Sequence, residues 1–434
     1  MNMHLWAYFT DPILRAPTIG CILMCVAASL MGVILLMQRR LLIGESISHA
    51  AYPGAILGVF TLAFFGLDEE PYAFFAVLGG AFFSSWLGLK AISYLERAWK
   101  VSSDAALCFV LAVFFGMGVL LTSWLQGVYP MWTQQAKILL FGQAATLTDE
   151  HVVLYGVLVG ASLLFIAFAF RQIQALLFDR GFANSVGLPT RALDKILRLF
   201  LLFSIVLGLR SVGVILMSGM LIAPAVAARQ CSHRLKVVFI LAALFGALSG
   251  LLGNVLSVEI ALRYEGVHLP TGPAIVLVGT CFALIALLFS PKRGVLFRVL
   301  RMAFFRLRCL EENVLKGLWR RGGMKKEDLK RHYPAMLPFV LHRLVRSGWI
   351  VRRENMLHLT VDGFLKASNI VRLHRLWELY LTEQLGFQAE RVHHSAEEME
   401  HILTPELEER LTRLLSNPQK DPHQQPIPQR RFFP

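Results

Sequence analysis

Two groups of residues in this 434-residue chain have the types and spacing to hold a divalent cation. The first is Gly44-Glu45-Ser46-Ile47-Ser48-His49-Ala50-Ala51-Tyr52-Pro53-Gly54, where Glu45 and His49 stand four apart inside an apolar run. On a helix that spacing aims a carboxylate and an imidazole at one point, and ionisable side chains at membrane depth mark ion paths. Oxygen plus nitrogen ligation suits manganese, iron or zinc, and the lack of a thiolate argues against copper. The same pair also reads as a helix-entry carboxylate with a hydrogen-bonded histidine; residue types alone leave both readings open. The second group lies far downstream: His374-x-x-x-Glu378, then His393 followed by Glu397-x-x-Glu400-His401. The i, i+3 and i+4 spacing stacks Glu397, Glu400 and His401 on one helix face, a carboxylate-rich set suited to manganese or ferrous iron. A solvated acidic helix is the competing reading.

The elements that must carry these residues follow from composition. The chain is 56% hydrophobic, and its apolar residues cluster in runs of about membrane-spanning length up to residue 290. Candidate spans run over 19–37, 47–64, 72–94, 105–125, 151–170, 197–209, 212–228, 237–256 and 274–289, about nine passes of an all-α polytopic membrane protein. Basic residues follow the first, third, fifth, seventh and last of these, whereas Asp68, Glu69 and Glu70 lie between the second and third. By the positive-inside rule the N-terminus faces out and the tail faces the cytoplasm, which needs an odd number of passes. The short 197–209 segment is therefore expected to cross. No cleaved signal peptide is expected, and the six scattered cysteines, with no CxxC pair, read as core residues. The chain has no G-x-x-x-x-G-K-[ST] phosphate loop, so it is not itself the motor of an ATP-driven process, and no organic cofactor is expected.

The Glu45–Gly54 segment resembles the second-span signature of the ABC-3 family of manganese, zinc and iron permeases: an acid and a His four later follow a basic turn, then Pro-Gly. Leu140-Phe141-Gly142, Phe178–Pro189 and Ser218-Gly219-Met220-Leu221-Ile222-Ala223-Pro224-Ala225 resemble the same family in the same order. The resemblance covers about residues 10 to 292, and departs where Glu45 stands for a common Asp. It implies an inner-membrane permease subunit importing a divalent transition metal, with Glu45 and His49 on the path. It also implies that the loop holding Phe178, Asp179, Arg180, Phe182 and Gly187 couples to a separate ATPase subunit. An extracytoplasmic metal-binding protein and a second permease, in a homo- or heterodimer, complete the expected partners.

After Ser290 the pattern becomes amphipathic. From Pro291 on there are 26 Lys+Arg against 16 Asp+Glu, which leaves +4 of the total +14 for the larger apolar part. The basic half, 291–353, suits phosphates, and part of its excess also reads as positive-inside bias at the last membrane exit. Helices expected over 311–319, 325–333 and 336–347, then a hairpin over 348–353 and 356–360, give a winged helix-turn-helix. Two more helices are expected over 370–385 and 395–415. The expected boundaries are 1–292 for the membrane domain, 293–310 for a basic linker open to proteolytic release, 311–368 for the winged helix, 369–416 for metal-binding and dimerisation helices, and 417–434 for a polar, Pro-rich, disordered tail.

This part is similar to the iron- and manganese-dependent repressors of the diphtheria-toxin-repressor type, over about 311–428. The resemblance implies one metal site from His374, Glu378 and His393 and another from Glu312, Glu397, Glu400 and His401, with the metal as effector. Glu397 stands where iron-type members have Cys, and Leu315 where manganese-type members often supply a carboxylate. DNA contact would fall to His342, Arg343, Arg346, Arg352 and Arg353, a set better suited to phosphates than to base reading. Two other readings stand beside a permease fused to a repressor: a tail that senses metal and gates transport in cis, and a secondary carrier, which leaves the 178–189 loop unexplained.

Overall fold

A computed structural model describes residues 6–65, 70–132, 139–264, 269–290, 294–332, 337–353, 356–388 and 392–429. The chain divides into two compact units, Met1–Phe297 and Arg298–Pro434.

The first unit is a helical bundle. Its long helices are α1 (Pro12–Met37), α2 (Leu42–Phe65), α3 (Glu70–Ala98), α4 (Ser103–Val128), α5 (Asp149–Phe168), α8 (Thr190–Gly208), α9 (Val214–Cys231), α10 (Leu235–Arg263) and α11 (Thr271–Phe289). Two short helices, α6 (Phe170–Phe178) and α7 (Arg180–Ser185), lie between α5 and α8. The sequence sets these limits locally: Asp11 accepts from the Ile13 N–H at 2.8 Å and Pro12 opens α1, so this helix starts seven residues earlier than its apolar run.

All of the long helices except α8 are long and apolar enough to cross a membrane, eight among the described residues. The expected sixth pass, 197–209, covers the second half of α8; the helix carries Arg191, Asp194 and Lys195 before that pass and Arg198 within it, and so lacks a continuous apolar surface. The buried core runs through α1, α8 and α9, with Met24, Ile205, Met217 and Leu221 enclosed.

Helix α2, which carries the first candidate pair, is held closely by its neighbours. A Cβ on Gly54 would lie 2.0 Å from the carbonyl oxygen of Gly80, and one on Gly80 would lie 2.2 Å from that of Gly54, so α2 and α3 touch backbone to backbone. Ser84 Oγ on α3 donates to Ala50 O at 2.6 Å, and Ser46 Oγ donates to Leu107 O of α4 at 3.1 Å.

The second unit contains most of α12 (Val295–Arg321), then β1 (Met324–Lys325), α13 (Lys326–His332), α14 (Leu337–Arg346), β2 (Ile350–Arg353), β3 (Met356–Leu359), α15 (Val361–Glu383), α16 (Val392–Met399) and α17 (Pro405–Leu414). The three strands form an antiparallel sheet in the order β1-β3-β2, with Ile350 opposite Leu359 and Met324 opposite Leu357. Val314, Leu318, Leu329, Val340, Leu344 and Ile350 bury one core among these elements.

Several expected boundaries change. The stretch expected as a basic linker is helical from Val295, because its Leu, Phe and Arg residues recur at helical spacing with no Gly or Pro from there to Gly317. Helix α15 begins nine residues before the expected start, capped by Thr360 Oγ1, which accepts from the Gly363 N–H at 3.1 Å. The helix expected over 395–415 is two helices, since Thr404 caps and Pro405 opens α17. Strand β1 was not anticipated; two residues are too short for a period-2 pattern.

The segment after Asn417 is also not disordered as far as residue 429. Asp421 and Ile427 are buried, Lys420 pairs with Pro426 in a β-bridge, and Arg372 Nη1 donates to Pro428 O at 2.9 Å. Its prolines remove backbone donors, and the arginines of α15 supply the missing ones.

Candidate functional site

In the membrane unit, Glu45 lies in the first turn of α2 and His49 one turn deeper, both on one face. His49 is 9% exposed, and its Nδ1 is buried with no hydrogen-bond partner among the described residues. Its ring meets Phe115 of α4 edge to face, with centroids 4.7 Å apart. A buried, unpartnered imidazole nitrogen one turn from a half-buried carboxylate is a candidate donor set for a divalent ion. The reading of His49 as merely hydrogen-bonded to a neighbour finds no support at Nδ1.

The loop between α5 and α8 forms a separate apolar surface. Asp179 breaks the helix and caps α7, accepting from Gly181 N–H at 2.7 Å and Phe182 N–H at 3.2 Å. Phe178 ends α6 90% exposed, and Phe182 in α7 is 57% exposed. Arg180 is ion-paired with Asp194 at the start of α8, and Gly187, at φ +80°, turns the chain out of α7 through the left-handed region that a side chain would strain. Two aromatic rings on a braced, protruding turn are the features of a docking element.

In the tail, α15 and α16 bring together three residues far apart in sequence. His374 Nε2 lies 3.0 Å from Glu378 Oε1 and 3.0 Å from His393 Nδ1, and His393 Nδ1 lies 2.9 Å from Glu378 Oε1. Their ligand atoms all fall within 4.8 Å of one another, the one such group among the described residues. His374 and Glu378 are buried, while His393 is exposed at the mouth of a cleft of about 440 Å³ that Trp319, Arg320, Arg375, Asp421, His423 and Gln425 also line. Two imidazole nitrogens and a carboxylate with an open side fit a transition-metal ion.

Electrostatics here are strongly coupled. Burial works to lower the His374 pKa, but hydrogen bonds to Glu378 and Glu400 outweigh it and leave it raised. Burial also works to raise that of Glu378, yet its bonds with His374 and His393 hold it down to about 2. The His374 ring thus lies between two carboxylates, Glu378 at Nε2 and Glu400 at Nδ1.

The second implied set is also gathered, in a different way. His401 Nδ1 lies 2.6 Å from Glu312 Oε2, and His401 Nε2 lies 3.7 Å from Glu400 Oε1. Glu397 is half exposed. Between them sits Lys316 of α12, whose ammonium donates to Glu400 Oε1 and Oε2 at 3.0 and 2.8 Å. Arg308 Nε donates to Glu312 Oε1 at 3.0 Å. Leu315 is fully buried in the core and offers no donor.

The basic residues expected at phosphates, His342, Arg343, Arg346, Arg352 and Arg353, are all exposed. Arg343 is also ion-paired, its Nε 2.8 Å from the buried Glu311 Oε1. Sequence reasoning passed over Lys316, Arg308, Arg372 and Arg375. No local spacing marked Lys316, whose partners His374 and Glu400 lie 58 and 84 residues away in sequence.

Comparison with known proteins agrees with this division. The ABC 3 transport family matches residues 10–290, and the iron dependent repressor, metal binding and dimerisation domain matches residues 360–429. A probable metal transport system membrane protein of Chlamydia trachomatis is 37% identical, with 97% of each chain covered. The manganese transport system membrane protein MntC of Bacillus subtilis is 30% identical over 89% of this chain and 88% of its own. The solved structure of PsaBC from Streptococcus pneumoniae in complex with Fab superposes with a TM-score of 0.56 at 26% identity, covering 67% of this chain and 96% of that chain. The chain is a multi-pass metal permease with a repressor-like C-terminal domain, and it belongs to the ABC 3 transport family.

Proposed function

We propose that this chain is the permease subunit of an ATP-driven importer of a divalent transition metal, manganese, iron or zinc, in a bacterial inner membrane. The observation that carries the reading is the buried, unpartnered Nδ1 of His49 on the same face of α2 as Glu45. An ion crossing at that depth exchanges water ligands for this carboxylate and imidazole, and the weak two-residue set lets it leave again. Energy enters from a separate ATPase subunit seated on Phe178 and Phe182, and an extracytoplasmic binding protein delivers the ion to a permease dimer. The N-terminus faces out and the repressor-like domain faces the cytoplasm, where it reads metal through His374, Glu378 and His393.

The test is uptake of radiolabelled Mn²⁺, Fe²⁺ and Zn²⁺ by cells whose own importers are deleted, with the permease expressed beside its ATPase and binding protein. Glu45→Gln and His49→Ala are each expected to abolish uptake at unchanged membrane abundance. Wild-type rates in both variants would remove the pair from the path.

For the tail, winged-helix binding to DNA and gating of transport in cis are both open to the same metal. The pairing of Arg343 with Glu311 favours the second, since it offsets one of the positive charges on the helix that would face DNA.

A further inference from the structure

We propose that Lys316 is a built-in cation that takes the place of a second metal ion, so that the repressor-like domain holds one ion, at His374, Glu378 and His393, and not two. The count of one rests on the reading of that triad as a metal site.

Similarity to metal-dependent repressors implies a second ion held by Glu312, Glu397, Glu400 and His401, but the residues present do not fit one. A metal ion needs carboxylate lone pairs pointing at a shared centre. Here both oxygens of Glu400, whose side chain is fully buried, already accept from the Lys316 ammonium at 3.0 and 2.8 Å. That ammonium also lies 3.3 Å from His374 Nδ1 and 3.8 Å from Glu397 Oε1, and Lys316 as a whole is only 4% exposed. The two oxygens of Glu312 are taken as well, one by Arg308 Nε and the other by His401 Nδ1. No donor comes from Leu315. A divalent ion entering this set would have to displace a buried ammonium from Glu400, or share the site against its charge.

The substitution is balanced in charge. Lys316 on Glu400 and Arg308 on Glu312 together supply two positive charges, the same as one divalent ion. It is also balanced in reach: Lys316 of α12 and His374 of α15 both hold Glu400, just past α16, so this carboxylate and the ammonium join the elements that an ion at this place would join. That tie is permanent and needs no metal. Metal sensing in this domain is thereby left to the triad alone, whose His393 side is open.

The experiment is Mn²⁺ stoichiometry on the full-length chain in detergent, by equilibrium dialysis and elemental analysis, for wild type, Lys316→Met, Lys316→Gln and His393→Ala. Differences between variants cancel any ion held in the transport path. Both lysine variants are expected to bind one ion per chain more than wild type, and His393→Ala one fewer. A second reading on unaltered protein is acetylation of Lys316 by acetic anhydride, followed by mass spectrometry: protection is expected to be equal without Mn²⁺ and at saturation. Equal counts in wild type and both lysine variants, or acetylation of Lys316 that rises with Mn²⁺, overturns the lysine's role. An unchanged count in His393→Ala with the lysine results as expected overturns the triad reading alone, and with it the count of one.

Discussion

His374 joins Glu400 through Nδ1 at 2.5 Å while its Nε2 faces Glu378 at 3.0 Å, so one ring links both clusters of the tail. Its raised pKa puts a proton in competition with the metal at the proposed site. Lowering the pH through that value makes the proton compete harder, and apparent Mn²⁺ affinity is expected to fall by up to about tenfold per pH unit for one displaced proton. Calorimetric titration at several pH values, in buffers of different ionisation heat, measures both the slope and the released proton. A flat profile would mean that His374 is neutral in the metal-free chain.

The same groups set the stability of the metal-free tail. A raised His374 contributes stability that is fully present below the ordinary imidazole pKa of about 6.5 and is lost as pH rises through the folded value. Glu378, depressed to about 2, contributes stability above the ordinary carboxylate range that is lost as pH falls towards that value. Thermal unfolding followed by the tail's tryptophans is therefore expected to peak between about pH 4.3 and 6.5 without metal. With Mn²⁺ bound the upper limit should move to higher pH, because the ion replaces the lost proton as the bridge.

Much of this was legible in the sequence, and the misses have physical causes. Eight long apolar runs and the Glu45–His49 spacing are local signals, readable without tertiary contacts. The triad needed α15 and α16 to meet, and only resemblance supplied that. Lys316 stayed hidden because its partners Glu400 and His374 lie 84 and 58 residues away. The C-terminal segment looked disordered because its composition is polar and Pro-rich; what orders it are Arg372 and Arg375 on a helix about fifty residues upstream.

Arg372 gives a stability prediction for that closure. It is buried, and it donates to Glu408 Oε1 at 2.9 Å, to Thr412 Oγ1 at 3.1 Å and to Pro428 O at 2.9 Å. Removing one side of a buried ion pair costs about 3–5 kcal/mol. Arg372→Ala is expected to destabilise the tail by that order in denaturant unfolding and to expose 418–429 to proteolysis. Arg413→Ala, in an exposed pair with Glu409, should have little effect.

Coupling to the ATPase is tested at Phe182. Its ring is exposed and α7 is capped by Asp179, so Phe182→Asp should leave the fold intact while placing a charge in an apolar contact. Loss of ATPase co-purification and of uptake, with normal permease abundance, is the expected result. Undiminished co-purification would place the docking element elsewhere.

The final prediction separates DNA binding from gating. Phosphate contacts follow charge, so if the tail binds DNA the affinity should drop steeply with salt, and Arg346→Glu together with Arg353→Glu should weaken binding on every sequence alike. Fluorescence anisotropy of labelled duplexes with the full-length chain in detergent, with and without Mn²⁺, measures this at stated salt. Gating predicts no anisotropy change at physiological salt and a different sign elsewhere: His374→Ala would leave the permease blind to internal metal, so uptake in preloaded vesicles should continue where wild type slows. Arg343→Ala discriminates further. It frees Glu311, whose pKa burial already raises, and so should loosen α14 from α12 and disturb the neighbouring β2–β3 hairpin without touching the triad. If that variant alters metal-dependent uptake but not DNA affinity, the 311–353 elements transmit the signal to the permease instead of reading DNA.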